Sequence, residues 1–286
     1  MRAAASLLPS GPSLGTDYES RMLRTVSPTR WSQPHWRILC YHTVPDSLTD
    51  VFRAQLTAFR DMGFCFVDLD QGLKLCQGQG FTRPTMTVTF DDAYLTTYTN
   101  ALPVLEELGI KGFHYLIVDY VNKGRTYRAE NPLPAMTWDN VRDWVRRGHG
   151  VGSHTFTHAY LLTCSDSDLI HECALSKQVL EEKLQVPIRH FAYPCGLHSM
   201  RTYRLIKAAG LYDSVATIRR GRMWAGHDPY KLRRDVCDPK WPLESVVRVM
   251  RLADRWYWLG CVRRCLHRHL CERRRRRLDQ EHGYRI

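Results

Sequence analysis

The segment Met86-Thr87-Val88-Thr89-Phe90 ends directly in two adjacent carboxylates, Asp91 and Asp92. Its mixture of β-branched and apolar residues predicts a buried strand. In α/β proteins catalytic groups gather at the carboxyl ends of strands, so we expect a site at this point. Because adjacent side chains on an extended chain point to opposite sides, the strand must bend or end here if the two carboxylates are to act together. The alternative is that both carboxylates cap the following helix.

Two histidines further along the chain have the spacing of a metal-ligand pair, in His154-Thr155-Phe156-Thr157-His158. His154 follows the strand-like Gly150-Val151-Gly152-Ser153, which predicts a loop at a strand end rather than two surface histidines on a helix turn. The H-E-x-x-H pattern of zinc proteases fails, because Thr155 stands where the glutamate should be. One carboxylate with two histidines predicts a metal site with open positions, and the second carboxylate is left to act as a base.

Strands and helices alternate along the chain from Trp36 onward. Repeated strand–helix units predict a parallel sheet, either open or closed into a barrel. Glycine follows several of the helices, which suits a left-handed helix end. The predicted strands are 36–41, 64–69, 85–90, 112–118, 149–153, 188–193, 214–217 and 231–236. The predicted helices are 50–62, 95–109, 137–147, 166–185 and 200–209.

Four segments together resemble a known family. They are TFDDAY at 89–94, SHTFTH at 153–158, FAYPCG at 191–196 and LCYHTVP at 39–45. They resemble the motifs of the polysaccharide deacetylases (the NodB homology domain, carbohydrate esterase family 4), and the last is similar to the subgroup that acts on poly-N-acetylglucosamine-type polymers. The resemblance covers roughly residues 36 to 240 and implies a distorted, incomplete (β/α) barrel of about seven parallel strands.

The resemblance also implies roles for individual residues. Asp91 would be the general base, and the metal ligands would be Asp92, His154 and His158. Zinc is the natural metal for such ligands, although cobalt, nickel or manganese could also bind. His42 would be the general acid, with a hydrogen-bonded core histidine as the alternative interpretation and His198 and His227 as weaker candidates. The groove wall that binds substrate would include Tyr193, Pro194 and Cys195.

The chain departs from the family pattern at several positions. Ala192 stands where many members have an arginine that orients the base, and Cys195 stands where many have an aromatic residue. Arg233 or Arg234 is a candidate to replace that arginine. Ala93 replaces the usual glycine after the two aspartates, which is tolerable unless the backbone there needs a positive φ. A late leucine-x-histidine motif is not evident.

Charge and composition suggest three regions in the 286 residues. Residues 1–34 are rich in Ser, Pro, Gly and Arg and predict a disordered leader, followed by the deacetylase-like domain at 35–242. Residues 243–286 predict a basic amphipathic helix and an arginine-rich tail, with five consecutive arginines at 273–277 and a net charge of +12 for the whole chain. This tail suggests peripheral contact with an anionic membrane, or simply a solvated terminus. No motif for specific nucleic-acid recognition accompanies it.

The metal-site pattern predicts a metal-dependent hydrolase, and the family resemblance implies that it removes N-acetyl groups from amino sugars of a polysaccharide or lipid-linked glycan. A deformylase or an ester deacetylase could use the same metal site, and a catalytically inactive carbohydrate-binding member is a third possibility. The ten cysteines lack the spacing of a disulfide scaffold, and no apolar stretch reaches the length of a membrane span. The expected location is therefore cytoplasmic, with possible contact at the membrane surface.

Overall fold

The computed structural model describes residues 31, 33–125 and 133–254. Almost all of the predicted leader, 1–34, and everything from Arg255 onward lie outside these described residues. The disordered state predicted for the leader and the helix predicted beyond residue 254 therefore stay predictions.

A curled sheet of parallel strands forms the centre of the domain. The strands are β1 (His35–Tyr41), β2 (Cys65–Phe66), β3 (Pro84–Asp91), β4 (Gly112–Leu116), β5 (Gly150–Ser153), β6 (His190–Ala192), β7 (Ser214–Ala216) and β8 (Asp235–Val236). Their order is β7-β6-β5-β4-β3-β1-β8, and the short β2 pairs with β3 outside this path. A single parallel bridge between Ala216 and Leu232 connects β7 to the segment that leads into β8. The expected distorted, incomplete barrel of about seven parallel strands is confirmed.

Helices pack around the outside of this sheet. They are α1 (Thr49–Asp61), α2 (Leu69–Gln77), α3 (Leu102–Glu107), α4 (Val118–Lys123), α5 (Trp138–Arg146), α6 (Asp166–Leu184), α7 (Met200–Ala209) and α8, described over 243–254. The helices predicted at 50–62, 137–147, 166–185 and 200–209 are confirmed, with ends that shift by about a residue. The helix predicted at 95–109 is interrupted, because a π-helical turn at Thr97–Ala101 precedes α3.

Side chains of alternate strand residues pack into two apolar layers on opposite faces of the sheet. Leu39, Val88 and Phe191 face the helices, whereas Trp36 and Phe113 face the barrel interior. The interior is closed at its amino end by α2, which places Leu69, Leu73 and Cys76 in the same cluster. This leaves the carboxyl ends of the strands as the open end of the barrel.

Several other elements differ from the predictions, among them the strand predicted at 188–193, which is only His190–Ala192. The strand predicted at 64–69 is only Cys65–Phe66, because the side chain of Asp68 accepts a hydrogen bond from the amide of Gln71 and starts α2 there. The strand predicted at 231–236 is reduced to Asp235–Val236, since a 3-10 turn occupies Pro229–Lys231. The strand predicted at 112–118 ends at Leu116, and α4 begins at Val118.

The first turns of the predicted C-terminal appendage pack on the domain. Val246, Val247 and Met250 are buried in the helix-facing core. Asp254 lies 2.5 Å from a guanidinium nitrogen of the buried Arg37, which anchors this end of α8 to β1. None of the helices within the described residues is long and apolar enough to cross a membrane.

Candidate active site

The two adjacent aspartates lie in a strained turn at the end of β3. Asp91 is the last residue of the strand, and the next two residues have left-handed backbones, with φ of 76° at Asp92 and 69° at Ala93. The turn is held by a hydrogen bond from the Ala93 amide to Nε2 of His114, at 3.1 Å. The strand therefore ends at the pair, as predicted, and an oxygen of each carboxylate lies near Nε2 of His154, at 3.9 Å for Asp91 and 3.5 Å for Asp92. Left-handed backbone at non-glycine residues is concentrated at functional sites.

The two histidines lie on a loop after β5 rather than on a helix. The side chain of His154 is fixed because its Nδ1 donates a hydrogen bond to the carbonyl oxygen of Ala192, at 2.8 Å. The other ring nitrogen, Nε2, is then left as a ligand atom. Burial lowers the pKa of His154 more than Asp91 and Asp92 raise it, so the ring is neutral at pH 7, as metal binding requires.

Asp92, His154 and His158 converge as a possible metal site. The Asp92 Oδ1 atom lies 3.5 Å from Nε2 of His154 and 3.6 Å from Nε2 of His158. Metal–ligand bonds of about 2.0–2.1 Å in a tetrahedral site place ligand atoms about 3.4 Å apart. Asp92 Oδ1 is also buried without a hydrogen-bond partner, which is costly for a carboxylate unless a cation satisfies it. The residues present therefore fit a divalent metal ion.

Asp91 is paired with a buried arginine from the segment before β8. The guanidinium of Arg234 donates to both carboxylate oxygens of Asp91, at 2.6 and 2.8 Å. Burial alone would raise the pKa of Asp91, but Arg234, His154 and His42 outweigh it, and the pKa of this carboxyl lies well below its usual range. Of the two arginines proposed from the sequence, Arg234 thus makes the contact. Ala192, which stands where many family members have the arginine, is buried in the apolar cluster that also contains Trp36 and Phe113.

His42 and Cys40 also lie near Asp91, at the carboxyl end of β1. The thiol of Cys40 is fully buried and lies 3.5 Å from Asp91 Oδ2, to which it donates. A ligand nitrogen of the half-buried His42 lies within 4.8 Å of both Cys40 Sγ and a carboxylate oxygen of Asp91. The fold therefore brings His42 close to Asp91. Its role as the general acid stays a prediction.

The third motif lies next to the histidine loop. Tyr193 is 1% exposed and its ring packs in the core against Phe191 and His198. Pro194 is also buried, so Cys195, which is half-buried at a positive φ of 53°, is the side chain of this motif most open to a substrate. The assignment of these three residues to substrate binding stays a prediction.

The two weaker candidates for the acid lie in different places. His198 stacks on Tyr193, and its Nδ1 is hydrogen-bonded to the carbonyl oxygen of Gly196. His227 lies near the amino end of the barrel, where the neighbouring Gly226 amide donates to the carbonyl oxygen of Cys76 in α2. His227 is therefore remote from Asp91.

Two residues that support the site were not identified from the sequence. His114 holds the turn after β3, and burial lowers its pKa to about 4, so it remains a neutral acceptor. Glu172 of α6 accepts hydrogen bonds from the amides of Phe156 and Thr157, at 3.0 and 2.9 Å, and from the Thr157 hydroxyl. It thereby clamps the loop between the two histidines. Neither residue has a local sequence signal, since each partner is distant in the chain.

Comparison with known proteins agrees with this geometry. Residues 78–213 match the family model for polysaccharide deacetylases. This part of the chain is therefore similar to a polysaccharide deacetylase domain. The chain is 27% identical over 164 residues to a peptidoglycan-N-acetylglucosamine deacetylase of Bacillus cereus, covering 57% of this chain and 64% of that protein.

The chain is also similar to two further proteins. One is a poly-beta-1,6-N-acetyl-D-glucosamine N-deacetylase of Staphylococcus aureus, 22% identical over 56% of this chain and 57% of its own length. The chain thus spans about three fifths of the length of the Bacillus cereus and Staphylococcus aureus proteins. The other is the solved structure of IcaB from Ammonifex degensii, with a TM-score of 0.68 and 26% identity over 78% of this chain and 98% of that chain.

Proposed function

We propose that the deacetylase domain hydrolyses the N-acetyl group of amino sugars in a polysaccharide or a lipid-linked glycan, using one divalent metal ion. The observation that carries this proposal is the convergence of Asp92, His154 and His158 around the unpartnered Asp92 oxygen, with Asp91 directly beside them. Zinc suits this ligand set, and cobalt, nickel or manganese are alternatives. A metal ion held there supplies a Lewis acid that acidifies water and polarises the acetyl carbonyl.

Asp91 is the residue that would take the proton from the attacking water. Arg234 keeps its carboxylate ionised throughout the neutral pH range and fixes the direction of its oxygen atoms. The same pairing makes Asp91 a weaker base, and its orientation next to the site compensates for this. The guanidinium lost at position 192 is thus supplied by Arg234. The pairing supports an active enzyme over an inactive carbohydrate-binding member, an alternative that rested on the departures at Ala192 and Cys195.

His42 is our candidate for the acid that protonates the departing amine. It is half-buried, lies beside Asp91 and directly follows the carboxyl end of β1. Histidine suits this role because its pKa lies near neutrality. The two carboxylates and His42 would then divide the work, with Asp92 holding the metal, Asp91 accepting a proton and His42 donating one.

Release of acetate from defined substrates tests the proposal. The zinc-loaded protein should release acetate and free amine in equal amounts from β-1,4- or β-1,6-linked N-acetylglucosamine oligosaccharides, and a chelator should stop the reaction. N-formyl and O-acetyl sugars run in parallel distinguish a deformylase or an ester deacetylase. A protein that holds zinc but releases nothing from the N-acetylated oligosaccharides would contradict the proposal.

We further propose peripheral contact with an anionic membrane at its cytoplasmic face, through the basic segment beyond Asp254. The five arginines at 273–277 support it, since each basic residue near an anionic leaflet contributes about 1 kcal/mol. Because 243–254 packs on the domain, the comparison should use a chain that ends at Asp254 and so keeps the core complete. Co-sedimentation with anionic vesicles should require the segment beyond Asp254. Equal binding of both chains would remove this proposal.

A further inference from the structure

A second group of metal-binding side chains lies directly beside the first. Cys40, His42 and Asp91 offer a sulfur, a nitrogen and an oxygen atom that all lie within 4.8 Å of one another. Sulfur, imidazole and carboxylate are the three ligand types that zinc prefers. Asp91 Oδ2 is also 3.9 Å from Nε2 of His154, so the two groups of ligands are directly adjacent. We propose that Cys40, His42 and Asp91 form a second, inhibitory site, which a thiophilic divalent cation such as Zn²⁺ enters when it is in excess.

The hydrogen bond between Cys40 and Asp91 shows how the site would be filled. Oδ2 of Asp91 accepts from both Arg234 and the Cys40 thiol. When the metal binds, the S–H bond breaks, the proton leaves to solvent, and a sulfur–metal bond replaces it. The lone pair of Oδ2 that had accepted the thiol proton then becomes available to the same ion. One proton is released for each ion bound, and no oxidation or reduction takes place.

The charges around the site set its strength relative to the first. The guanidinium of Arg234 is hydrogen-bonded to Asp91 and repels a cation placed on that carboxylate. An ion already held by Asp92, His154 and His158 repels it as well. The thiol must also give up its proton, which the first site does not require. The second site should therefore fill only after the first.

Occupation of this site would stop the reaction, and this consequence rests on the proposed function. Asp91 could not take a proton from water while it binds a metal ion, and His42 could not donate one. The expected behaviour is an activity that rises as the first site fills and falls at higher zinc concentration. Replacement of Cys40 should weaken the inhibition while leaving the first site intact.

Cobalt spectroscopy of the full chain tests the site without any substrate. Metal-free protein is titrated with Co²⁺, which gives a strong near-ultraviolet charge-transfer band only when a thiolate is a ligand. The first equivalent should give no such band, and further Co²⁺ should produce it. In Cys40→Ser the band should disappear while the first equivalent still binds. Cys237→Ser is the matched control, because Cys237 is buried on the neighbouring strand segment outside the cluster and should leave the band unchanged.

The outcomes separate this proposal from the proposed function. A band that persists in both Cys40→Ser and Cys40→Ala, or that never forms in the wild-type protein, would overturn the second site. The inhibitory zinc concentration for acetate release should rise at least about tenfold in Cys40→Ser. An unchanged inhibitory concentration would overturn the regulatory role. A Cys40-dependent band in a protein that releases no acetate would retain the site and reject only the deacetylase activity.

Discussion

At the scale of single residues, the site depends on an arginine that belongs to none of the recognised motifs. Arg234 and Asp91 are both fully or almost fully buried and form a bidentate ion pair. A buried pair of this kind is costly to break, because the remaining charge loses its partner; the cost is about 3–5 kcal/mol. The pair therefore links the stability of the barrel to the ionisation of Asp91.

Replacement of Arg234 by glutamine should change the pH dependence as well as the rate. Without the guanidinium the pKa of Asp91 rises, so the base becomes protonated at higher pH and the acidic limb of the kcat/KM profile should move upward. Misplacement of the carboxylate should also lower kcat by up to about 10²-fold. Arg233→Gln, one position away, is the control and should leave the acidic limb in place. An unchanged limb in Arg234→Gln would mean that Arg234 does not tune the base.

Ala93 carries a backbone strain that a glycine would relieve. Its φ of 69° is left-handed, a conformation that costs a residue with a Cβ atom roughly 1–2 kcal/mol. Ala93→Gly loses a buried methyl group but gains this energy, so we expect the free energy of unfolding to rise by up to about 1 kcal/mol. The buried, helical Ala101→Gly should instead destabilise the protein by about 1 kcal/mol or more. Denaturant unfolding measures the free energy of unfolding of both variants. If Ala93→Gly were less stable than the wild-type protein, the backbone at Ala93 would not be strained.

At the scale of elements, the loop after β5 is positioned by α6 rather than by its own sequence. Two of its residues, Thr155 and His158, have positive φ values of 65° and 66°, and Glu172 holds the segment between the histidines. Glu172→Gln weakens these charge-assisted hydrogen bonds, so the zinc affinity should fall about 10- to 100-fold. Glu182→Gln on the exposed side of the same helix is the matched control. Equal zinc affinity in the two variants would exclude a positioning role for Glu172.

Element boundaries were predictable where periodicity and capping agreed. The helix ends at Gly63, Gly109, Gly148 and Gly210 were expected from glycine, and all four glycines have positive φ. Helix α2 was missed, because Gly72 lowers the helix propensity of its own segment. The structure gives the reason for this glycine: a Cβ atom there would lie 2.5 Å from the ring of Trp36. Tertiary packing at the closed end of the barrel therefore overrides local propensity.

The candidate site was predictable only as far as its short motifs extend. Asp91, Asp92, His154 and His158 were assembled from two segments and a family resemblance. The choice between Arg233 and Arg234 could not be made, because Arg234 meets Asp91 across 143 positions of sequence. The same long separations hide His114 and Glu172. Distant pairs of this kind appear only when the sheet is folded.

At the scale of the whole molecule, buried histidines make stability depend on pH. His149, at the amino end of β5, accepts a hydrogen bond from the Gly112 amide and packs against Trp144. Burial lowers its pKa from 6.5 to about 4. Between these values the unfolded chain binds a proton that the folded chain does not. The contribution of neutral His149 to the free energy of unfolding is therefore fully present above pH 6.5 and is lost as the pH falls toward 4.

His149→Asn should reduce this dependence on pH. The loss of unfolding free energy between pH 7 and pH 4 should be roughly 2–3 kcal/mol smaller in the variant than in the wild-type protein. His171→Asn, at an exposed position of α6, should behave like the wild type. Urea unfolding at both pH values measures the difference. Parallel curves for His149→Asn and the wild type would show that His149 is not held neutral.

We propose that the two adjacent aspartates have different roles, with Asp92 binding the metal and Asp91 taking the proton. Both Asp91→Asn and Asp92→Asn should be assayed for zinc content and for acetate release, with Asp91→Asn/Arg234→Gln as the control that leaves no unpaired buried charge. We predict that Asp91→Asn and the double variant keep one zinc ion and lose about 10²–10⁴-fold in rate, whereas Asp92→Asn loses the metal itself. Loss of zinc from Asp91→Asn and its control, or full activity without Asp91, would contradict this account.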